Sequence, residues 1–451
     1  MWGSGIGAAG VFGWGLLGAG RRVGNGGVGR VQNAPLGVET WCGKAYKASN
    51  ASFDPGGQLE PPPLSDVPLL DLQVAPRMSI YLSTESQASL IVSAAITHTV
   101  GEPYCAEWDP SSELTRMNGT SFRLTITLLD RTTVLSTTSI AANTTLNEIP
   151  IPLTGLKAGT TPQQILLTLT SPHCPETTFF SITTLTLLPP PENGSAARTD
   201  ALHGGLHVLT DSSAPTTWEP IFPYSFYGDW GGHFAGSPSN LSAFASHGFN
   251  IFHPTPGADP SAPWGEWASF DAALDQLEEL GLWLMYDMRW SYKNLTAVTA
   301  QVERIKHRKR LLLWYTADEP DGWGDALDAP LRAADAIRTA DPYHPVSLVL
   351  NCANFHFGPY AAGADILLTD PYPVGNNASY STLWDTPCNA TYGDCGCDGC
   401  IGELKDVARR MDMFREYEGW MRAVEKPLWA VPQVFGGRGE CDGDGVFGAW
   451  G

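Results

Sequence analysis

The chain has 451 residues, 43% of them hydrophobic, which is enough for more than one domain or for one barrel with an addition. A formal charge of −20 argues against nucleic acid or an anionic membrane surface as partner. Charged residues make up only 16%, while 48 glycines and 35 prolines predict many turns.

Residues 1–41 are Gly-rich with an apolar patch at 8–17, and Arg21 and Arg22 follow that patch, whereas a signal peptide carries its charge first. The patch is too short and glycine-rich to span a membrane, so this segment is expected to be a leader or a mis-assigned start outside the fold. From Cys42 the chain is irregular up to the stiff Pro61-Pro62-Pro63 run. The stretches 79–82, 89–97, 121–129, 133–140, 165–170 and 179–187 are rich in Thr, Ile, Val and Leu and tend to alternate apolar with polar. Short strands at such spacing predict a β-sandwich domain over 42–190. Cys105 and Cys174 fall in its turns and can form one disulfide. Leu188-Pro189-Pro190-Pro191 closes the domain.

Beyond it the rhythm becomes strand–helix–strand. Strands are expected at 221–227, 249–253, 282–286, 311–315, 346–350, 365–369 and 428–431. The intervening helices include 239–247, one with Phe270, Leu274 and Leu277 on one face and Gly281 as its cap, and one with Leu295, Val298, Val302 and Ile305 as its stripe. Leu327, Leu331 and Ile337 mark a further helix, and a long one covers 404–424. Seven such units predict an α/β fold of the (β/α)8 TIM barrel type over 200–451, with a Cys-rich insertion at 385–401. The expected barrel is incomplete, because no eighth unit follows before Gly451.

Eight Asn-X-Ser/Thr sequons (Asn50, Asn118, Asn143, Asn193, Asn240, Asn294, Asn377, Asn389) use over half of the asparagines, and the cysteines number nine. Both features predict a secreted glycoprotein. Cys388, Cys395, Cys397 and Cys400 have a spacing that can bind zinc through thiolates, but in such a chain two disulfides are the expected use. Cys352 either pairs with Cys42 or stays buried.

In a parallel α/β barrel the loops after the strands build the active site. The expected strand ends collect Tyr224, Tyr227, His253, Asp287, Asp318, Glu319, Asn351, Asp370, Tyr372 and Gln433, with Trp314, Tyr315 and Trp323 adjoining. Carboxylates, an amide and aromatics on one rim suit a carbohydrate: aromatic faces stack on sugar rings and the polar groups bind hydroxyls. Trp230, Trp264, Trp267 and Trp290 also lie near these ends, although packing is the commoner role of a tryptophan. Glycosidic cleavage needs one protonated carboxyl to donate to the leaving oxygen and a second, ionised one. Glu319 is the expected proton donor, and Asp370, Asp287 and Asp318, in that order, are the candidates for the second acid. The competing role of Asp318 or Glu319 is to cap the helix that starts at Pro320.

The stretches CGKAYKAS (from Cys42), PIFPYSFY (from Pro220), LWYTADEPDG (from Leu313), HPVSLVLNC (from His344), ADILLTDPYPVGNN (from Ala364), YGDCGCDGC (from Tyr392) and VPQVFGG (from Val431) are similar to a group of fungal secreted glycoside-hydrolase-like proteins. The likeness covers nearly the whole chain from Cys42. The barrel with an acid pair after strand four also resembles the clan A glycoside hydrolases, which carry Asn-Glu there. The resemblance implies that Glu319 is the acid/base and that Asp318 replaces the usual asparagine. Where that clan places its nucleophile glutamate, after strand seven, this chain has Gln433. The sequence thus predicts a secreted glycoside hydrolase acting on a cell-wall or other glycan, with no cofactor, metal or membrane span. The alternative is a non-catalytic carbohydrate-binding protein on a degenerate barrel.

Overall fold

The computed structural model describes residues 40–45, 55–105, 120–210, 217–375, 377–381, 385–389 and 395–433. Of the segment 1–41 expected as a leader or mis-assigned start, the residues up to 39, together with the Gly-rich end from residue 434 and the sequons Asn50 and Asn118, lie outside the described residues.

Two four-stranded antiparallel sheets form the N-terminal part. One joins Glu102–Pro103, Leu69–Pro76, Gln87–Thr97 and Thr144–Pro152; the other joins Cys174–Leu185, Gln163–Ser171, Ser121–Leu128 and Val134–Ala141. Their inward residues, among them Leu72, Leu90, Val92, Phe122, Leu124, Ile151, Leu167 and Leu169, share one core. Leu69–Pro76 and Thr144–Pro152 were not expected as strands, although in the first Leu70, Leu72 and Val74 face the core and alternate with Asp71 and Gln73. Cys105 and Cys174 are bonded, with Cα atoms 5.7 Å apart.

The second part is a seven-stranded parallel sheet with its strands in chain order, an open half-barrel: β1 Tyr227–Asp229, β2 Ile251–Thr255, β3 Trp283–Asp287, β4 Leu311–Asp318, β5 Val346–Leu350, β6 Ile366–Thr369 and β7 Leu428–Ala430. Helices α1 Pro238–Ser246, α2 Trp267–Leu280, α3 Leu295–Ile305, α4 Pro320–Trp323, α5 Ala329–Ala340, α6 Phe357–Ala361 and α7 Asp406–Trp420 accompany it. Gly281 ends α2 in the left-handed region at φ 73°, where glycine carries no Cβ penalty. Phe270, Leu274 and Leu277 are buried as expected, as are Val298, Val302 and Ile305. Leu295, the first residue after the Asn294 cap, is instead 36% exposed. On α5 the buried face is Ala329, Pro330, Ala333, Ala334 and Ile337; Leu327 precedes the helix and is exposed, and Leu331 lies beside that face.

The first parallel strand begins only at Tyr227. Ile221, where that strand was expected to start at 221–227, instead ends the strand Glu219–Ile221, which pairs with Leu206–Leu209 and, through it, Ala196–Thr199 in a small antiparallel sheet. Ala197, Leu206 and Val208 of that sheet pack on Ile251, Trp283, Leu312, Leu313 and Ile366. These contacts fill the interior at the N-terminal ends of the strands and leave the C-terminal ends free for chemistry.

Candidate active site

The apolar run of β4 is enclosed up to Ala317 and then releases Asp318 and Glu319, which keep partial access to solvent. Glu319 sits in the left-handed region at φ 50°, ψ 47°, and its N–H donates to Val349 O at 3.2 Å. Neither acid caps α4 through its side chain. The turn brings the Glu319 carboxyl into hydrogen-bond contact with Asp370, which follows β6. Asn351, just after β5, donates from Nδ2 to Glu319 Oε1 at 2.8 Å and to Asp370 Oδ1 at 3.3 Å. Tyr372 OH donates to Asp370 Oδ2 at 3.1 Å.

Burial, followed by the Asp370 and Asp318 carboxylates, holds Glu319 well above the usual carboxylate range. Burial likewise pushes Asp370 up to about 7, against the hydrogen bond from Glu319. For carboxyls in contact in a poorly solvated site the loss of both protons is disfavoured, and Glu319 is the member held well above its ordinary range.

A charged network flanks the pair. Arg289 donates from Nη1 to Asp318 Oδ2 at 2.8 Å and from Nε to Asp287 Oδ2 at 2.9 Å. His253 Nε2 lies 2.9 Å from Asp287 Oδ2, and Tyr315 OH donates to Asp318. Tyr227 OH is 3.2 Å from Tyr315 OH. Burial raises Asp287, but the Arg289 charge and the His253 hydrogen bond outweigh it and hold Asp287 below its ordinary range. Burial, with smaller contributions that include nearby carboxylates, keeps Tyr227, Tyr315 and Tyr372 protonated as O–H donors.

The expected site residues thus divide. Tyr227, His253, Asp287, Tyr315, Asp318, Glu319, Asn351, Asp370 and Tyr372 belong to one network. Within it Asp287 is wholly enclosed and braces Arg289 and His253, so it is removed from the candidates for a second catalytic acid. Trp314 faces the helical layer, where its Nε1 donates to Asp341 at 2.9 Å, and does not reach the cleft. Tyr224 lies toward the other end of the sheet, stacked on Phe249 and bonded through its N–H to Asn250. Gln433 bonds both the N–H and the C=O of Val374. Trp230 and Trp264 are core residues. Trp323 is 48% exposed, its ring 5.0 Å from that of Trp41.

Three contributors were not singled out in the sequence. Arg289 stands two residues after the expected strand end, and such a D-x-R pattern is a usable signal. Asp321 accepts the N–H groups of Gly322, Asn351 and Cys352 and so fixes the loop after β5. Trp41 is 310 residues from Asn351, to whose Oδ1 its Nε1 donates at 2.9 Å. Its neighbour Cys42 is bonded to Cys352, one of the two outcomes left open by the sequence. The Cys-rich insertion holds Cys388–Cys395 and Cys397–Cys400 disulfides. Cys42, Cys352 and Asp398 group their sulfur and oxygen atoms within 4.8 Å, but disulfide sulfurs offer a metal no thiolate.

No family model matches the chain, and no curated protein matches it in sequence. Solved structures that it resembles are glycoside hydrolases. A Parabacteroides merdae β-glucuronidase matches with a TM-score of 0.33 and 10% identity, covering 80% of this chain and 40% of its own. A Dictyoglomus thermophilum β-D-glucuronidase gives 0.31 and 10%, with 81% and 53% covered. A glycosyl hydrolase family 2 member from Bacteroides cellulosilyticus gives 0.29 and 11%, with 79% and 45% covered. The chain therefore spans about half or less of those proteins, and the likeness is too low to carry an argument about function.

Proposed function

We propose that the chain is a secreted glycoside hydrolase that cleaves O-glycosidic bonds of a cell-wall or other glycan polysaccharide, with Glu319 as general acid/base. The observation that carries this reading is the contact between the Glu319 and Asp370 carboxyls at the C-terminal rim of a parallel sheet, where burial favours a protonated carboxyl. A carboxyl that stays protonated at neutral pH can donate to a leaving glycosidic oxygen as the C–O bond breaks. The partly accessible Asp318, held by Arg289 and Tyr315, is the carboxylate placed to meet the positive charge that develops on the sugar ring. Deprotonated Glu319 then takes a proton from the incoming water.

A retaining enzyme separates its carboxyl groups by about 5–5.5 Å. Glu319 and Asp370 are in hydrogen-bond contact, closer than that, so Asp370 serves in this reading to hold the proton on Glu319 rather than to attack the sugar. Tyr227, His253, Asn351, Tyr372 and Trp323 bind substrate or brace the acids that do.

We propose a β-sandwich domain over 42–190 and a barrel-type catalytic domain over 200–451. Secretion is supported by the disulfides and by the exposure of Asn143, Asn193, Asn294, Asn377 and Asn389, five of the sequon asparagines. Among the described residues no helix is long and apolar enough to cross a membrane.

Gln433 after β7, bonded to Val374, favours a second reading in which the site binds sugar without cleaving it. The test is hydrolysis across a panel of fungal and plant cell-wall glycans by the protein and its Glu319→Gln variant. Turnover falling by about 10²–10⁴-fold in the variant, with binding retained, is the expected result. Binding without turnover in both proteins would replace the hydrolase with the sugar-binding reading.

A further inference from the structure

The hairpin of 40–45 joins the site from the far end of the chain. The Cys42–Cys352 disulfide, with Cα atoms 5.4 Å apart, ties it beside Asn351, and Lys44 forms an ion pair with Asp398. Its Trp41 indole lies over Gly322, where an added Cβ would stand 2.3 Å from the ring. Resting on the proposed hydrolase reading, we propose that Trp41 is a positioning residue that fixes the direction of the Asn351 amide, and through it the hydrogen bonding of the Glu319–Asp370 pair.

An asparagine amide has an acceptor at one end and two donors at the other, and its two flipped orientations fill the same space. The backbone of Asn351 is held by Asp321 and Arg410, but those contacts leave the direction of its amide open. The indole N–H can only donate, so the atom that meets it must be Oδ1. Nδ2 is then obliged to face Glu319 and Asp370, its partners at 2.8 and 3.3 Å. Without the indole N–H the amide is free to turn and to offer Oδ1 to the Glu319 O–H. A donor facing the pair favours its ionised form, and an acceptor favours its protonated form.

Trp41→Phe keeps an aromatic ring in the seat and removes only the N–H. Gly322→Ala keeps Trp41 and pushes its ring out of place; the backbone of Gly322 is one that alanine adopts without strain. Infrared titration of the full chain would follow the protonated carboxyl C=O band, assigned by its loss in Glu319→Gln. The expected result is an upward shift of the titration midpoint in both variants, with thermal unfolding near that of the parent. An unchanged midpoint in Trp41→Phe overturns the proposal, and if that variant does not fold, Gly322→Ala decides by the same criterion. The titration needs no substrate. A failed glycan panel would therefore remove the hydrolase reading while leaving this measurement to decide the role of Trp41.

Discussion

Glu319 bears a left-handed backbone at φ 50°, a conformation that costs a residue with a Cβ about 1 kcal/mol or more. The fold holds it there between β4 and the Pro320 start of α4 and directs the side chain at Asp370. Asp370 is the clearest place to read the energetic consequence. Its pKa rises from an ordinary 3.8 to about 7 on folding, chiefly through burial. A raised folded value means that the native state binds more protons than the unfolded chain between those two limits. The contribution to stability is therefore complete below about pH 4 and is lost as pH climbs through 7. Asp370→Asn cannot ionise, and it is expected to raise the melting temperature at pH 7–8, by about 1–3 kcal/mol of stability, with little gain at pH 4. Melts at the two pH values check this; an equal change at both would remove the raised Asp370 pKa from the account. The acids were legible in the sequence because each follows an apolar run directly. The orientation of Trp314 was not, because the β4–β5 register shifts between Tyr315 and Asp318 and alternation cannot be counted across such a break. Trp41 was illegible for another reason: its partner is remote in sequence.

At the scale of elements, α2 was read from its apolar face and strand 163–171 was read over 165–170, whereas the comparably long strands Leu69–Pro76 and Thr144–Pro152 were not read. The Ala196–Thr199 and Leu206–Leu209 strands were missed because each is only four residues long, too short for a period to show. On α5 the expectation followed the large residues Leu327 and Leu331, whereas alanines make the close helix contact. Helix α3 offers a test that separates two uses of one side chain. Asn294 Oδ1 caps it by accepting from Ala297 N at 3.2 Å, while the Nδ2 of the same residue is the sequon acceptor for glycan. Thr296→Ala abolishes the sequon and keeps the cap; Asn294→Ala abolishes both. The second variant is expected to be less stable than the first by about 1 kcal/mol, measured by urea unfolding of protein from a glycosylating host. Equal midpoints would show that the cap adds nothing and that any loss belongs to the glycan.

Across the whole molecule, the antiparallel sheets are joined to the downstream chain by polar contacts as well as by packing. Ser79 N donates to Thr199 O at 3.0 Å, Arg198 pairs with Glu85, and Arg422 pairs with Asp71. The Arg77–Asp200 contact is the most informative of them, because Asp200 is 1% exposed and sits where the small antiparallel sheet meets Leu69–Pro76. Burial alone would raise its pKa, but the hydrogen bond from Arg77 and that from Leu202 N outweigh burial and hold it below the ordinary value. A depressed folded pKa gives stability that is present above pH 4 and is lost as pH falls through the folded value. Arg77→Ala leaves the Asp200 carboxylate enclosed without its cation. The expected cost is about 1–3 kcal/mol at pH 7, below that of a fully buried pair because Arg77 keeps 26% of its side chain in solvent. Protonation of Asp200 at low pH removes the unpaired charge, so the deficit should shrink as pH approaches 4. Thermal unfolding of parent and variant at pH 7 and pH 4 measures both quantities. A deficit that stays constant with pH would assign the loss to the Arg77 stem and its contact with Glu148, and would take the buried carboxylate out of the junction.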